Sequence, residues 1–103
     1  MQYNFEWDPD KEKQNQKKHG VSFEHAATVF KDPRALSMYD EDHSAAEDRW
    51  MTLGLSAAGG LVVVHHTYEE VDESTARIRI ISTRKATKRE IEQYQEQKHE
   101  KGV

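Results

Sequence analysis

The chain lacks cysteine altogether and has no long apolar run. The absence of cysteine excludes disulfide bonds and every metal site built on thiolate ligands. No apolar stretch approaches the ~18 residues of a membrane-spanning helix, and no charged segment followed by an apolar one opens the chain. We therefore expect no membrane span, no secretory signal and a cytoplasmic location.

The composition lies close to the border between folded and disordered proteins. Hydrophobic residues make up 35% of the 103 residues and charged residues 33%, but three Phe, two Trp and four Tyr supply large side chains for a core. A chain of this length buries about 65% of its unfolded surface, which is enough for one core. Since almost nothing apolar follows Tyr94, we expect a single domain over residues 1–94 and a frayed or disordered tail over residues 95–103.

The two signs of charge are separated along the sequence. The 15 Lys and Arg and the 19 Asp and Glu give a net charge of −4, which argues against a protein that coats nucleic acid nonspecifically. The segment 74–89 nevertheless carries six basic residues and no acid, whereas acids gather in 40–48 and 69–73. Segregation of this kind creates a local positive field in spite of the acidic total.

The first third of the chain predicts one strand and two helices. Aromatic residues alternate with polar ones over residues 3–7, which is the pattern of a short strand. A helix is predicted from the cap Asp8 to Gly20, a typical C-terminal stop. A second helix is predicted from the cap Ser22 to Phe30, because apolar residues recur there at helical spacing.

The rest of the chain predicts four strands and a final helix. The strands are expected at 35–39, 49–56, 61–68 and 76–84, and the second and third form a hairpin. Segment 69–75 is predicted as a polar turn, and Thr87 with Glu90 forms the capping box of the last helix. The order β-α-α-β-β-β-β-α predicts an α+β fold, in which an antiparallel meander has the helices packed on one face.

Three separated blocks of the sequence resemble the signature of the BrnT toxins. The blocks are Phe5-Glu6-Trp7-Asp8 with Lys18-His19-Gly20-Val21-Ser22-Phe23, then Glu47-Asp48-Arg49 with Val62-Val63-Val64-His65-His66-Thr67, and finally Arg79-Ile80-Ile81-Ser82-Thr83-Arg84-Lys85-Ala86-Thr87. They agree with the family in order and spacing, from Phe5 to about Tyr94. The resemblance covers nearly the whole chain.

This resemblance implies a ribonuclease toxin of a type II toxin–antitoxin system, with a fold related to the RelE toxins. Such a toxin cleaves RNA and inhibits translation. The implied partner is a BrnA-type antitoxin, a small ribbon-helix-helix protein that binds DNA, so the toxin would contact DNA only indirectly through it. The expected substrate is RNA.

The chemistry of RNA cleavage does not require a metal ion or another cofactor. RNA supplies its own nucleophile, the 2′-hydroxyl, if the protein accepts its proton and stabilises charge on the phosphate. No carboxylate and histidine cluster lies at ligand spacing in the sequence, and His65 and His66, adjacent on a strand, point to opposite faces. We therefore expect metal-independent hydrolysis.

Arginines of the last strand are the first candidates for the site. Because Ile78 and Ile80 alternate with Arg77 and Arg79, the two arginines are expected on the uncovered face of the sheet, where Arg79 would bind the phosphate. The alternative is a solvated ion pair of little energetic value. Arg84, at the start of the last helix, is the candidate for a second phosphate contact.

A histidine is the expected group for proton transfer. His66 is favoured because it matches the histidine of the family's strand and lies on a strand expected to pair with that of Arg79. His65 on the other face and His19 at a helix end remain alternatives, and His43 is expected to be a bystander. We expect His66 and the arginines to converge in one exposed hollow.

Further candidates come from the loop before the second half of the sheet and from the basic segment. Glu47 and Arg49 are predicted as base and phosphate ligand, or alternatively as an ion pair that fixes the loop. The predicted RNA-binding residues are Arg77, Lys85, Lys88 and Tyr68, the last by stacking on a base. The competing hypothesis is a non-catalytic binding module that uses the basic segment to dock an acidic partner or DNA.

Overall fold

Six strands form one mixed sheet, and three helices pack against it. The computed structural model describes the backbone of residues 1–101 and the side chains of residues 1–97. The elements are β1 (Gln2–Glu6), α1 (Pro9–His19), α2 (Phe23–Ala27), β2 (Leu36–Tyr39), β3 (Arg49–Leu55), β4 (Leu61–Thr67), β5 (Glu69–Asp72), β6 (Thr75–Lys85) and α3 (Lys88–Lys101), with short 3₁₀ turns at Thr28–Lys31 and Glu41–His43. The predicted α+β class is confirmed.

The sheet has the strand order β1-β6-β4-β3-β2, and β5 also pairs with β6. The predicted hairpin of β3 and β4 is confirmed, with Leu55 opposite Leu61. The prediction of a purely antiparallel meander is wrong for β1, which runs parallel to β6 with Glu6 opposite Arg79. Most of the chain lies between the two strands. No short turn connects them, so the local sequence does not predict whether they pair parallel or antiparallel.

The segment 69–75, predicted as a polar turn, contains strand β5. All four of its residues are exposed and the sequence Glu-Glu-Val-Asp shows no alternation, so no pattern marks it as a strand. Its pairing with the first half of β6, where Glu69 lies opposite Arg77, makes it one arm of a hairpin. The turn itself is therefore shorter than predicted.

A bulge in β6 changes which side chains face each side of the sheet. His66 pairs with Ile80, whereas its neighbour His65 pairs with Ser82, so Ile81 is an extra residue. Before the bulge Ile78 and Ile80 are buried, as predicted. After it the alternation is inverted, so Thr83 is fully buried, whereas regular alternation from Ile78 and Ile80 would have buried Ser82.

Two apolar clusters lie on opposite sides of the sheet. On one side α1 and α2 cover Val62, Val64, Ile78 and Ile80, with Phe23 at the centre. On the other, Tyr94 of α3 packs with Leu53 and Val63. Because Val63 alternates with Val62 and Val64, α3 lies on the face opposite α1 and α2. The prediction that all helices pack on one face is therefore wrong for α3.

The helix ends follow the predicted caps. Asp8 Oδ1 accepts the amide of Asp10 at 2.9 Å, and Gly20 closes α1 with a φ of 72°. Ser22 Oγ accepts the amide of His25 at 3.1 Å. Helix α2 ends at Ala27, earlier than predicted, because the next turn is 3₁₀ rather than α.

Buried Asn15 joins α1 to the sheet just beyond the bulge. Its Nδ2 donates to the carbonyls of Val21 and Thr83 at 3.2 and 2.9 Å, and its Oδ1 accepts the amide of Thr83 at 3.2 Å. All the polar atoms of this side chain thus have partners, as burial requires. Asn15 thereby fixes α1 against the second half of β6.

The end of the chain is described only in part. Helix α3 continues to Lys101, and residues 102–103 lie outside the described residues, so the predicted domain of residues 1–94 and tail of residues 95–103 stay predictions. Among the described residues, no helix combines the length and the apolar character needed to cross a membrane.

Substitution of Gly54 by Ala is predicted to destabilise the fold. A Cβ on Gly54 would lie 2.7 Å from Val29 Cγ1 and 3.1 Å from Ala35 Cβ, and overpacking of this kind costs about 1–3 kcal/mol. The free energy of unfolding from urea titration measures the loss. Gly60→Ala is the control, since nothing lies within 4 Å of its Cβ position; equal stabilities of the two variants would contradict the packing described for Gly54.

Candidate functional site

We call the side of the sheet that α1 and α2 do not cover the open face. Polar groups from four adjacent strands lie there in one row. Asp40, which directly follows β2, donates its amide to the carbonyl of Arg49 at 2.8 Å. Arg49 lies opposite Thr67 in the β3–β4 hairpin, and the amide of Arg79 donates to Thr67 Oγ1 at 3.2 Å. The row therefore runs from Asp40 across Arg49 and Thr67 to Arg79.

The bulge at Ile81 brings Arg79 and Arg84 to the same face. The two residues are five positions apart, and in a regular strand an odd spacing would send them to opposite faces. Arg84 lies opposite Val63, which belongs to the cluster under α3. Both predicted phosphate ligands therefore project from the open face.

The Glu47 carboxylate lies between two guanidinium groups of the open face. Arg79 Nη2 donates to Glu47 Oε1, and Arg49 Nη2 lies 3.5 Å from the same oxygen. The hydrogen bond from Arg79 holds the pKa of Glu47 below its ordinary value. A carboxylate stabilised in this way is a weak proton acceptor, so the geometry supports the ion-pair alternative for Glu47 rather than a general base.

A polar cavity of ≈ 260 Å³ adjoins this ion pair. Arg77 and Arg79 line it, together with Thr67, Tyr68 and the acids Glu6, Glu47, Asp48 and Glu69. Arg77 is paired with Glu69 at 3.6 Å, and both side chains are largely exposed, so that pair contributes little stability. An anion entering the cavity has to displace or rearrange carboxylates that already neutralise the arginines.

Arg84 is engaged by α3. Its Nη1 and Nη2 donate to the two Glu90 oxygens at 2.7 and 3.0 Å. Glu90 also accepts the amide of Thr87 at 2.8 Å, while its own amide donates to Thr87 Oγ1 at 3.2 Å, so the predicted capping box is confirmed. The amides of Thr87 and Glu90 thus have partners within the protein. Lys85 and Lys88 are exposed, but Lys85 lies opposite Val62 and so projects from the face of α1 and α2.

His66 does not lie beside Arg79, contrary to the prediction. It is 2% exposed on the face covered by α1 and α2, where its ring packs edge-on against Phe30. Its Nε2 lies 2.7 Å from Thr52 Oγ1, and its Nδ1 lies 2.9 Å from the carbonyl of Thr67. Burial lowers the pKa of His66. The physical reason is strand alternation, which gives His66 the same side as Val62 and Val64.

His65 is the histidine of this pair that reaches the open face. It lies opposite Met51 on one side and Ser82 on the other, in the row next to Arg79. Burial lowers the pKa of His65 and the charge of Arg84 lowers it further, whereas Asp40 acts in the opposite direction. The sequence correctly indicates that the two histidines face opposite sides of the sheet. The buried Val62 and Val64 identify the side of His66 as the one covered by α1 and α2.

Sequence reasoning missed the pair formed by Asp40 and His43. His43 Nδ1 lies 2.9 Å from Asp40 Oδ2 and 3.1 Å from Asp40 Oδ1. The Asp40 side chain is 10% exposed and that of His43 is 65% exposed. The two residues lie three positions apart in a loop between two strands. This spacing fits one 3₁₀ turn and could have predicted that their side chains meet.

Aromatic side chains line a second cavity of ≈ 230 Å³ on the opposite side of the sheet. Tyr68 lines both cavities, and Trp50 lines the aromatic one together with Tyr3 and Phe30. Trp7, by contrast, packs edge-on against Phe23 at a ring distance of 6.1 Å and belongs to the core. Tyr68 is thus an aromatic residue that lines the same cavity as Arg77 and Arg79.

In the part of the chain that the structure describes, no group of three or more His, Asp or Glu residues is arranged to hold a metal ion.

Comparisons with known proteins identify a family. A family model described as the ribonuclease toxin BrnT of a type II toxin–antitoxin system matches residues 7–90. The 1.1 Å crystal structure of the Brucella abortus ribonuclease toxin BrnT is similar, with a TM-score of 0.56 and 23% sequence identity over 85% of this chain and 100% of that one. This likeness supports the fold, whereas the relation to RelE toxins stays a prediction. No curated protein sequence matches the chain.

The contact between Glu90 and Arg84 predicts a pH-dependent part of the stability. Hydrogen bonds from Arg84, together with the amide of Thr87, lower the pKa of Glu90 from 4.5 to about 2. Since the folded pKa is depressed, this stabilisation is complete above the unfolded value and is lost as the pH falls from 4.5 towards about 2. Melting temperatures of the wild type and Glu90→Gln are therefore expected to differ at neutral pH and to converge in acid.

Glu92→Gln is the matched control, because Glu92 is an exposed acid of the same helix. Its melting temperature is expected to follow that of the wild type at every pH. A difference between Glu90→Gln and the wild type that stayed constant down to pH ~2 would contradict the assignment.

Proposed function

Because the chain belongs to the BrnT family of ribonuclease toxins of type II toxin–antitoxin systems, we propose that it cleaves RNA without a metal ion and thereby inhibits translation. The observation that carries the proposal is the single carboxylate, that of Glu47, held between Arg79 and Arg49 on the exposed side of the sheet. Two guanidinium groups that share one anion are arranged to share a phosphate.

Glu47 occupies the place that the scissile phosphate takes. The side chains of Glu47 and Arg79 are 36% and 42% exposed, so an RNA backbone can reach them from solvent. In addition, Arg49 Nε is buried and has no hydrogen-bond partner among the residues that the structure describes, although such donors are usually satisfied. A phosphate that replaces Glu47 gains two guanidinium partners, and the freed carboxylate remains at the edge of the site.

The reaction proceeds by attack of the 2′-hydroxyl on the adjacent phosphorus. Negative charge accumulates on the phosphate oxygens in the transition state, where Arg79 and Arg49 stabilise it more strongly than in the ground state. A metal ion is not needed for that stabilisation, since two fixed positive charges supply it.

The neighbouring basic residues extend the binding surface along the RNA. Arg77 lies before Arg79 on β6, and Lys88 follows at the start of α3. Lys85 lies opposite Val62 and therefore projects from the other face of the sheet, so it is not part of this surface. We propose that Arg77 and Lys88 contact flanking phosphates, with Arg84 holding this end of the surface through Glu90. Tyr68 stacks on a base next to the cleaved bond.

The family implies an antitoxin partner. We propose that it is a BrnA-type ribbon-helix-helix protein, that it neutralises the toxin by covering the open face in the cytoplasm, and that it alone contacts DNA. The separation of charge supports this proposal, because segment 74–89 carries six basic residues and no acid. Three of them, Arg77, Arg79 and Arg84, project from the open face, where an acidic segment can cover them.

Replacement of Arg79 by Ala is predicted to remove most of the RNA cleavage. The variant loses one of the two charges that stabilise the transition state, and the rate in the presence of EDTA is expected to fall by about 10²-fold or more. Rates are measured on a labelled single-stranded RNA, and thermal melting checks that the fold is intact. Lys13→Ala, which removes an exposed cation from α1, is the matched control and is expected to cleave like the wild type.

Two results would contradict the proposal. Cleavage by the wild type that stops in EDTA would show that a metal ion is required. RNA that binds tightly but stays intact with the wild type would instead favour the binding-module hypothesis.

A further inference from the structure

Asp40 and His43 form a carboxylate–imidazole pair at the edge of the open face. Both Asp40 oxygens lie within 3.1 Å of His43 Nδ1. An ionised carboxylate only accepts hydrogen bonds, so the proton of a neutral His43 ring resides on Nδ1. The other nitrogen, Nε2, then carries a free lone pair on a side chain that is 65% exposed.

Backbone contacts hold this pair in place independently of the carboxylate. The Asp40 amide donates to the carbonyl of Arg49 at 2.8 Å. Ser44 Oγ donates to the carbonyl of Asp40 at 2.5 Å and accepts the amide of Arg49 at 3.0 Å. The 3₁₀ turn that carries His43 is therefore tied at both ends to the start of β3, and a change of the Asp40 side chain leaves these bonds intact.

The pair lies one strand away from Arg49 and three strands away from Arg79, the two proposed phosphate ligands. Asp40 is the neighbour of Arg49 in the polar row, and adjacent strands lie about 4.8 Å apart. His65, one row further on the open face, experiences the charges of both Asp40 and His43. The imidazole is thus on the same side of the sheet as Arg79 and Arg49, unlike His66.

We propose that His43 is the general base of the ribonuclease and that Asp40 is its positioning residue; this proposal rests on the proposed function. His43 Nε2 takes the proton of the 2′-hydroxyl, and the 2′-oxygen forms a bond to phosphorus while the bond from phosphorus to the 5′-oxygen breaks. The 5′-oxygen takes a proton from water, and the imidazolium returns its proton to solvent. The products are a 2′,3′-cyclic phosphate and a 5′-hydroxyl.

Several charged and titratable groups surround His43. Asp40 touches the ring, Glu41 and Asp42 precede it in the same turn, and His65 on β4 interacts with its charge. A general base has to be unprotonated, so the rate of cleavage is expected to rise with pH.

The test measures the pH–rate profile of RNA cleavage in EDTA for the wild type and three variants. His43→Gln is expected to lower the maximal rate by about 10²-fold or more. Asp40→Asn keeps an oxygen acceptor for Nδ1 but removes the charge and allows the amide group to turn, so the maximal rate is expected to fall while the KM for RNA stays that of the wild type. His25→Gln, which changes an exposed histidine on α2, is the control and is expected to leave the profile unchanged.

The results separate this proposal from the proposed function. If the wild type cleaves RNA while His43→Gln retains its rate and profile, the assignment of His43 is overturned and the ribonuclease proposal stands. An unchanged maximal rate for Asp40→Asn, or a change confined to its KM for RNA, would overturn the positioning role. Absence of cleavage by the wild type would overturn both proposals. Circular dichroism of each variant establishes that the fold is retained.

Discussion

The ion pairs of Glu47 with Arg79 and Arg49 are the interaction on which the proposed site depends. They join the loop before β3 to the centre of the sheet, and they keep two guanidinium groups on one exposed anion. All three side chains are partly exposed, so the pairs contribute modestly to stability. Their importance is that they position the two guanidinium groups. Without Glu47, Arg79 and Arg49 would repel each other until RNA was bound.

The bulge at Ile81 is the backbone feature that makes the basic surface continuous. Without it, Arg79 and Arg84 would project from opposite faces of β6. The same inversion buries Thr83, whose backbone is bound by Asn15 of α1. The packing of α1 and the direction of Arg84 are thus consequences of one inserted residue, which links the stability of the core to the geometry of the site.

Local patterns predict most of the elements, and long-range pairing accounts for what they miss. The caps at Asp8 and Ser22, the Thr87–Glu90 capping box and the β3–β4 hairpin follow from residues close together in the chain. The parallel pairing of β1 with β6 and the bulge depend on distant partners. The choice of His66 fails for that reason, since only the buried neighbours of its strand reveal which face carries the arginines.

The most direct test of the account is the affinity of a dinucleotide with a 2′-O-methyl group, which cannot be cleaved, for the wild type and for Glu47→Gln. Isothermal titration calorimetry provides both dissociation constants. If Glu47 occupies the phosphate position, its replacement removes a competing anion and the variant binds more tightly. Equal or weaker binding by a folded Glu47→Gln variant would contradict the claim that Arg79 and Arg49 bind the phosphate in place of Glu47.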